Sequence, residues 1–261
     1  MDLPHTESPL DPEAQRKADL RRLRTALAAS LAFGALLLVM FLAQGAFDWR
    51  PFAVAPGAAR GLVGVLTAPL LHGSPAHLVA NGASVLLLGT LAGGVYPRAT
   101  LRSVPLLWIG SGLGAWLLGE SGSHHLGASG LTHGLMFLVF SLGLLRRDRP
   151  AIAAGMIAFF LYGGMLLTVL PQEPGVSWQS HLGGAVAGVV SAFVFRRSDP
   201  QAPRRKYSWE LEEEAEAEAA AAERAQFEPP RPDDVPVLWQ RPGDRDQGVV
   251  LRFTRERRDD D

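Results

Sequence analysis

The stretch Gly127-Ala128-Ser129-Gly130 stands at the start of an apolar run that continues to Leu145. A serine between glycines is common, but this one opens a hydrophobic segment and has His133 one helical turn further on. A distant apolar segment, residues 178–195, carries His181 near its start. Ser129 and His181 are therefore the candidate chemical pair, provided that the fold brings them together.

The charges of the chain are unevenly distributed. Averaged over 261 residues, the chain is 20% charged with a formal net charge of −1 and a mean hydropathy of +0.11, as in a soluble protein. Between residues 25 and 195, however, nearly every charge lies in a short break between apolar segments. Because a bilayer-spanning helix needs ~20 mostly apolar residues, this distribution indicates a membrane protein with polar tails.

Composition also excludes several functions. The near-zero net charge gives no reason to expect a nucleic-acid partner. The absence of cysteine excludes disulfides, cysteine-based catalysis and cysteine metal clusters. The first apolar run lacks a small-residue cleavage site followed by a soluble domain, so it is predicted to be a retained helix and not a removed signal peptide.

Six segments are apolar enough to be membrane spans, and together they predict an all-α, six-helix bundle: residues 25–47, 77–95, 104–118, 129–145, 151–170 and 178–195. Residues 48–71 contain three prolines and several glycines. This stretch is too broken for a straight helix and too apolar for a solvated loop, so we expect it to lie in the membrane interface.

Basic residues predict the orientation of these spans. Lys and Arg occur in the N-terminal tail, in the breaks at 96–103 and 146–150, and after residue 195, whereas the breaks at 119–128 and 170–177 carry none. Because cytoplasmic loops are rich in Lys and Arg, both tails are predicted to be cytoplasmic.

The predicted domains are an N-terminal tail (1–24), a membrane domain (25–197) and a C-terminal tail (198–261). The first tail is either disordered or a short helical approach to the membrane. In the second, Ala and Glu over residues 210–224 favour a solvated helix, and the charged, Pro-rich remainder favours disorder. Residues 249–253 are a candidate segment for binding a cytoplasmic partner.

The polar residues of the predicted spans lie at one depth, near the outer surface, although they come from three helices. Such residues are expensive in a membrane and are functional candidates by default. They are His72, His77 and Asn81 at the second span, Ser129 and His133 at the fourth, and His181 at the sixth.

Small residues predict how two of these helices meet. His181, Gly184 and Gly188 share one helical face, and Gly130 and Gly134 offer a matching small surface on the fourth span. A tight contact between the two helices would bring Ser129 and His181 together, which is what a nucleophile and its general base require.

Three motifs together resemble the rhomboid intramembrane serine proteases over residues 25–197. They are Gly127-Ala128-Ser129-Gly130, the segment His72-Gly73-Ser74-Pro75-Ala76-His77-Leu78-Val79-Ala80-Asn81, and His181-Leu182-Gly183-Gly184 followed by Gly188. The resemblance implies a serine endopeptidase that cleaves transmembrane proteins near their outward-facing ends, without metal or cofactor. It implies residence in the lipid bilayer, and the Arg- and Ala-rich composition favours a bacterial inner membrane.

The resemblance also implies roles for single residues. Ser129 corresponds to the nucleophile and His181 to the general base of a Ser–His dyad that has no acid. His77, Asn81 and the backbone N–H of Ser129 correspond to the donors that stabilise the tetrahedral oxyanion. His72 corresponds to a loop anchor, and the fifth helix to the side where a substrate helix enters.

The sequence departs from the family pattern at two places. A Trp-Arg pair often precedes the first histidine of the second motif, whereas here the only such pair is Trp49-Arg50, further upstream. The family often has tyrosine four residues after the serine, where this chain has His133. His133 either replaces the stacking of that tyrosine on the catalytic histidine or competes as a base. We favour His181, because a base on the serine's own helix is poorly aimed at its hydroxyl.

Two other functions stay open from the sequence. The first is a catalytically inactive rhomboid-like protein that binds membrane clients without cleaving them. The second is a metal site or transporter that uses His72, His77, His133 and His181, since imidazole is a ligand for zinc and copper.

Overall fold

A computed structural model of the chain describes residues 12–171, 175–200 and 208–227. The chain divides into two compact units, Met1–Arg204 and Arg205–Asp261. The candidate partner-binding segment 249–253 and the predicted disorder at the C-terminus lie outside the described residues.

The described part of the first unit is built from helices, which confirms the all-α class for these residues. They are α1 (Pro12–Ala43), α2 (Leu62–Thr67), α3 (Pro75–Ser84), α4 (Thr90–Val95), α5 (Pro97–Leu118), α6 (Ser129–Arg146), α7 (Arg149–Tyr162) and α8 (Trp178–Phe195). A π-helical segment, Val85–Gly89, joins α3 to α4, so the two form one continuous helix of 21 residues.

Five helices of the described chain are long and apolar enough to cross a membrane: Glu13–Ala46, Pro75–Val95, Pro97–Leu118, Ser129–Arg146 and Arg149–Leu166. These make the protein an integral, multi-pass membrane protein. α8 has 18 residues, but the polar residues Gln179, Ser180 and His181 follow its first residue, Trp178. The span at 178–195 therefore stays a prediction.

Several helix limits differ from those predicted. α5 begins at Pro97, seven residues before the predicted start at 104. The reason is a distant cap: the carboxylate of Asp199 accepts hydrogen bonds from the backbone N–H groups of Arg98 and Ala99, each at 2.9 Å. Such a cap satisfies donors that have no partner within the helix.

The first and fifth spans also differ in extent. α1 begins at Pro12, so the described part of the polar N-terminal segment is a helical approach. α7 ends at Tyr162 and gives way to a 3₁₀ turn, Gly163–Leu166, instead of continuing to residue 170. Glycine is a poor helix former, which explains the end of the helix at Gly163-Gly164.

The predicted close contact between α6 and α8 is confirmed. A Cβ atom added to Gly184 would lie 2.8 Å from the carbonyl carbon of Gly130, and one added to Gly188 would lie 3.1 Å from the backbone nitrogen of Leu138. α8 meets α5 just as closely, because a Cβ atom on Gly114 would lie 2.8 Å from Cα of Gly183. The contact between α5 and α8 was not predicted. α8 is therefore held by backbone contacts to two neighbours.

The described part of the second unit is one helix, α9 (Ser208–Phe227), which confirms the helix predicted over residues 210–224. Its residues 211–226 are all exposed. This exposure agrees with its Ala- and Glu-rich sequence, which offers few apolar residues to bury.

Candidate active site

Ser129 and His181 lie within hydrogen-bond distance of each other. Ser129 is the first residue of α6, and His181 lies in the first turn of α8. Nε2 of His181 is 2.9 Å from Oγ of Ser129. The glycines that let the two helices touch place their N-terminal ends side by side, because small residues allow helix backbones to approach closely.

The other ring nitrogen of His181 fixes which nitrogen faces the serine. Nδ1 lies 3.0 Å from the carbonyl oxygen of Thr168. A carbonyl only accepts hydrogen bonds, so Nδ1 carries the proton and Nε2 of the neutral ring presents its lone pair to the hydroxyl of Ser129. The carbonyl of Thr168 thus orients His181, as a carboxylate does in a Ser–His–Asp triad.

His133 stacks on His181 but does not face the hydroxyl of Ser129. The two rings are 3.8 Å apart between centroids, with an interplanar angle of 11°. Nδ1 of His133 donates to the carbonyl oxygen of Ser129 at 2.7 Å, and Nε2 lies 2.8 Å from the hydroxyl oxygen of Thr168. Both ring nitrogens of His133 are therefore engaged away from the serine side chain.

His77 and Asn81 lie beside the backbone that leads into Ser129. α3, which carries both, begins where Ser74 accepts a hydrogen bond from the backbone N–H of His77 at 3.1 Å. Gly127 has a φ of +113°, and a Cβ atom there would lie 2.7 Å from Nε2 of His77 and 3.4 Å from Nδ2 of Asn81. Glycine is therefore required at position 127 both for the turn and for the approach of these side chains.

Unpaired hydrogen-bond donors lie beside the start of α6. Asn81 is 5% exposed, and its Nδ2 has no hydrogen-bond partner among the described residues. The first N–H groups of α6, beginning with Ser129, have no acceptor within the helix. A buried, unpaired amide and a helix N-terminus favour an anionic group, because both supply donors and the helix end carries partial positive charge.

The backbone of His72 fastens the loop before α3 to Gln44, the residue that follows α1. The side-chain amide of Gln44 donates to the carbonyl of His72 and accepts from its backbone N–H, both at 3.0 Å. Burial lowers the pKa of His72 to about 4, and the nearby His77 ring adds to this effect. The ring is therefore neutral at physiological pH.

Three polar residues of the site had no signal in the sequence. Thr168 holds both stacked histidines, but it follows an apolar run without any motif. Ser111 of α5 and Ser180 of α8 share a hydrogen bond of 2.8 Å next to Gly130, and both are buried. Serines in membrane helices usually bond their own backbone, so their pairing could be found only from the packing of α5 on α8.

The upstream Trp49-Arg50 pair lies apart from the dyad. Arg50 stacks on the Trp49 ring and pairs with Asp48 at 3.3 Å, with both charged groups largely exposed. The Trp49 ring meets His124 edge-on at 6.4 Å between centroids. Across the described residues, no group of three or more His, Cys, Asp or Glu side chains is arranged to hold a metal ion.

Comparison with known proteins identifies the class. The family model of the rhomboid domain matches residues 59–198. The chain therefore belongs to the rhomboid family, which confirms the resemblance of the three motifs.

Its relatives include uncharacterised proteins of mycobacteria. One from Mycobacterium tuberculosis is 44% identical over 157 residues, which cover 56% of this chain and 62% of the relative. One from Mycobacterium leprae is 39% identical over 154 residues, covering 56% of this chain and 59% of the relative. The match thus spans about three fifths of the length of these relatives.

Proposed function

We propose that this protein is an intramembrane serine endopeptidase that hydrolyses peptide bonds of transmembrane proteins near the outer membrane face. The observation that carries this proposal is the 2.9 Å contact between Nε2 of His181 and Oγ of Ser129. It is supported by membership of a family of intramembrane serine proteases.

In the proposed reaction, Oγ of Ser129 attacks the scissile carbonyl carbon while Nε2 of His181 takes the hydroxyl proton. His181 then gives this proton to the leaving amine, and an acyl-enzyme remains on Ser129. A water molecule, deprotonated by the same nitrogen, hydrolyses the ester and restores the serine. The carbonyl of Thr168 accepts the Nδ1–H bond throughout and keeps the ring aligned.

The negative charge of the tetrahedral intermediate needs donors that are already in place. We assign this role to Asn81, His77 and the backbone N–H of Ser129. The unpaired amide of Asn81 supports the assignment, since a buried donor without a partner is costly unless a ligand pairs with it. His133 is a stacking partner that keeps His181 in plane, because its own nitrogens are engaged elsewhere.

The proposed topology has six spans, with α8 as the sixth and both tails in the cytoplasm. It places the N-terminal ends of α6 and α8, and with them the dyad, near the outer face. The apolar outer surface of the helices meets the lipid bilayer, and the mycobacterial relatives favour a bacterial inner membrane. The C-terminal tail is a candidate for a cytoplasmic partner.

Cleavage of a single-span test protein in proteoliposomes tests the proposal. The wild type should generate fragments that end near the outer face, whereas Ser129→Ala and His181→Ala should give none. Ser141→Ala, on the same helix as Ser129, serves as the matched control and should cleave normally. Cleavage by a folded Ser129→Ala variant would contradict the mechanism, and client binding without cleavage by the wild type would favour the inactive, client-binding function.

A further inference from the structure

His125 lies in the loop between α5 and α6 and has no part in the proposed reaction. Its main chain pairs with Val54 through two hydrogen bonds of 2.9 and 3.0 Å, so the loop is fixed to the segment that follows α1. Its imidazole bonds to two serines. Nδ1 is 2.7 Å from Oγ of Ser177, and Nε2 is 2.9 Å from Oγ of Ser123.

The contacts of the two serines decide which nitrogen of the neutral ring carries the proton. The hydroxyl of Ser123 donates to the carbonyl of Glu120 at 2.6 Å, so its oxygen accepts from Nε2–H of His125. Nδ1 is then the acceptor for the hydroxyl of Ser177. The ring therefore accepts a hydrogen bond from Ser177 and donates one to Ser123, so both of its nitrogens are paired.

Ser177 is the residue that joins His125 to the dyad. It precedes the first residue of α8, where a serine usually caps the helix with its side chain, but no such cap bond is present here. Its hydroxyl is directed to His125 instead, while its carbonyl accepts the backbone N–H of His181 at 3.2 Å. A displacement of Ser177 is thus transmitted directly to the backbone of His181.

The His125–Ser177 pair and the Ser129–His181 pair have the same separation along the chain. His125 lies four residues before Ser129, and Ser177 lies four residues before His181, so both hydrogen bonds join residues 52 apart. The bond between His125 and Ser177 thus joins two segments: the one that leads into Ser129 and the one that leads into His181.

We infer that the hydrogen bond between His125 and Ser177, here called the loop link, positions the Ser129–His181 dyad by holding the starts of α6 and α8 in register. His125 and Ser177 are positioning residues, since neither touches the reacting atoms. This inference deepens the proposed function and rests on it only for the chemical consequence of the alignment.

Two substitutions of His125 distinguish an effect of the loop link from an effect of general loop stability, because each keeps only one of the two side-chain hydrogen bonds. The amide of asparagine reaches the place of Nδ1, so His125→Asn keeps a bond to Ser177 and loses the one to Ser123. The amide of glutamine reaches the place of Nε2, so His125→Gln keeps Ser123 and loses Ser177. Each variant retains one of two hydrogen bonds, so both should lower the thermal unfolding midpoint by a similar amount.

The first measurement is the rate of labelling by a fluorophosphonate probe. His125→Gln, His125→Ala and Ser177→Ala should slow it about 10- to 100-fold, because a misplacement near 1 Å lowers rates by up to about 100-fold. His125→Asn and the control Ser123→Ala should stay within about threefold of the wild type. The double variant His125→Ala/Ser177→Ala should be no slower than either single one, since both remove the same link.

The second measurement does not depend on proteolysis. Because the chain has no cysteine, Ser129→Cys places a single thiol in it. Alkylation by iodoacetamide proceeds through the thiolate, which an aligned imidazole promotes by accepting the proton. Adding Ser177→Ala or His125→Gln should slow alkylation towards the rate of Ser129→Cys/His181→Ala, whereas adding His125→Asn should not.

The outcomes are distinguishable. Suppose that alkylation is slowed by Ser177→Ala and His125→Gln but not by His125→Asn, while the wild type shows no labelling or cleavage. This result would support the loop link and contradict the proposed function. Equal alkylation in all variants would overturn the loop link. So would equal losses of labelling in His125→Asn and His125→Gln, because the effect would then be a general loss of loop stability.

Discussion

Replacing Gly184 with alanine is expected to separate the dyad without touching it. The added methyl group would lie 2.8 Å from the carbonyl carbon of Gly130, which directly follows Ser129. Carbon atoms are in van der Waals contact at about 3.5–4.0 Å, and the carbonyl oxygen of Gly130 would lie closer still, so α8 must move away from α6 by more than about 1 Å. Added to the present 2.9 Å between Ser129 and His181, this movement carries the pair beyond hydrogen-bond distance.

The expected loss of reactivity is large and the expected loss of stability is moderate. A misplacement of this size lowers reaction rates by about 100-fold. Overpacking of a tight contact costs about 1–3 kcal/mol of unfolding free energy. The assay is the rate of fluorophosphonate labelling in detergent, measured beside the midpoint of thermal unfolding.

Two matched variants complete the test. Gly34→Ala adds a methyl group within α1 where no atom lies within 4 Å, so labelling should be unchanged and the helix should gain up to about 1 kcal/mol. Gly188→Ala creates a similar collision one turn further from the dyad, so it should lower stability with a smaller loss of labelling. If a folded Gly184→Ala variant were labelled at the rate of the wild type, the claim that this glycine contact sets the distance between Ser129 and His181 would be refuted.

Three further predictions follow from single contacts. Asp199→Ala should lower the thermal unfolding midpoint, because it removes the cap of two backbone N–H groups at the start of α5, typically about 1–2 kcal/mol; an unchanged midpoint would contradict this. Thr168→Val keeps the carbonyl that orients His181 but removes the hydroxyl on His133, so labelling should fall only a few-fold, and complete loss would show that the hydroxyl is essential. Burial lowers the pKa of His72 to about 4, whereas the same histidine in the unfolded chain has a pKa of about 6.5. Between these two pH values the unfolded chain binds a proton that the folded protein does not, so the free energy of unfolding should fall as the pH falls from about 6.5 to 4. His72→Gln should flatten that part of the curve of unfolding free energy against pH.

Much of the membrane domain was predictable because its helices coincide with long apolar runs that charged breaks separate. The apolar runs at 129–145 and 178–195 correspond to α6 (Ser129–Arg146) and α8 (Trp178–Phe195) almost residue for residue. The small residues at Gly130, Gly184 and Gly188 predicted that these two helices touch. Local pattern sufficed here because the motif and the helix start coincide.

Long-range contacts were not predictable in the same way. The early start of α5 depends on Asp199, which is about 100 residues away, and no local signal marks that pairing. The support of both stacked histidines by Thr168 likewise depends on how the turn after α7 lies against α6 and α8. Such contacts are set by tertiary packing, which a single sequence does not display.

Mapping the site of fluorophosphonate attachment by mass spectrometry tests the central claim most directly. The probe should be attached to Ser129 in the wild type, and the modified peptide should be absent from Ser129→Ala and from His181→Ala. His133→Ala should retain attachment at Ser129, because His133 stacks on the base without facing the hydroxyl. Attachment at another serine, or undiminished attachment at Ser129 in a folded His181→Ala variant, would contradict the assignment of these two residues as nucleophile and base.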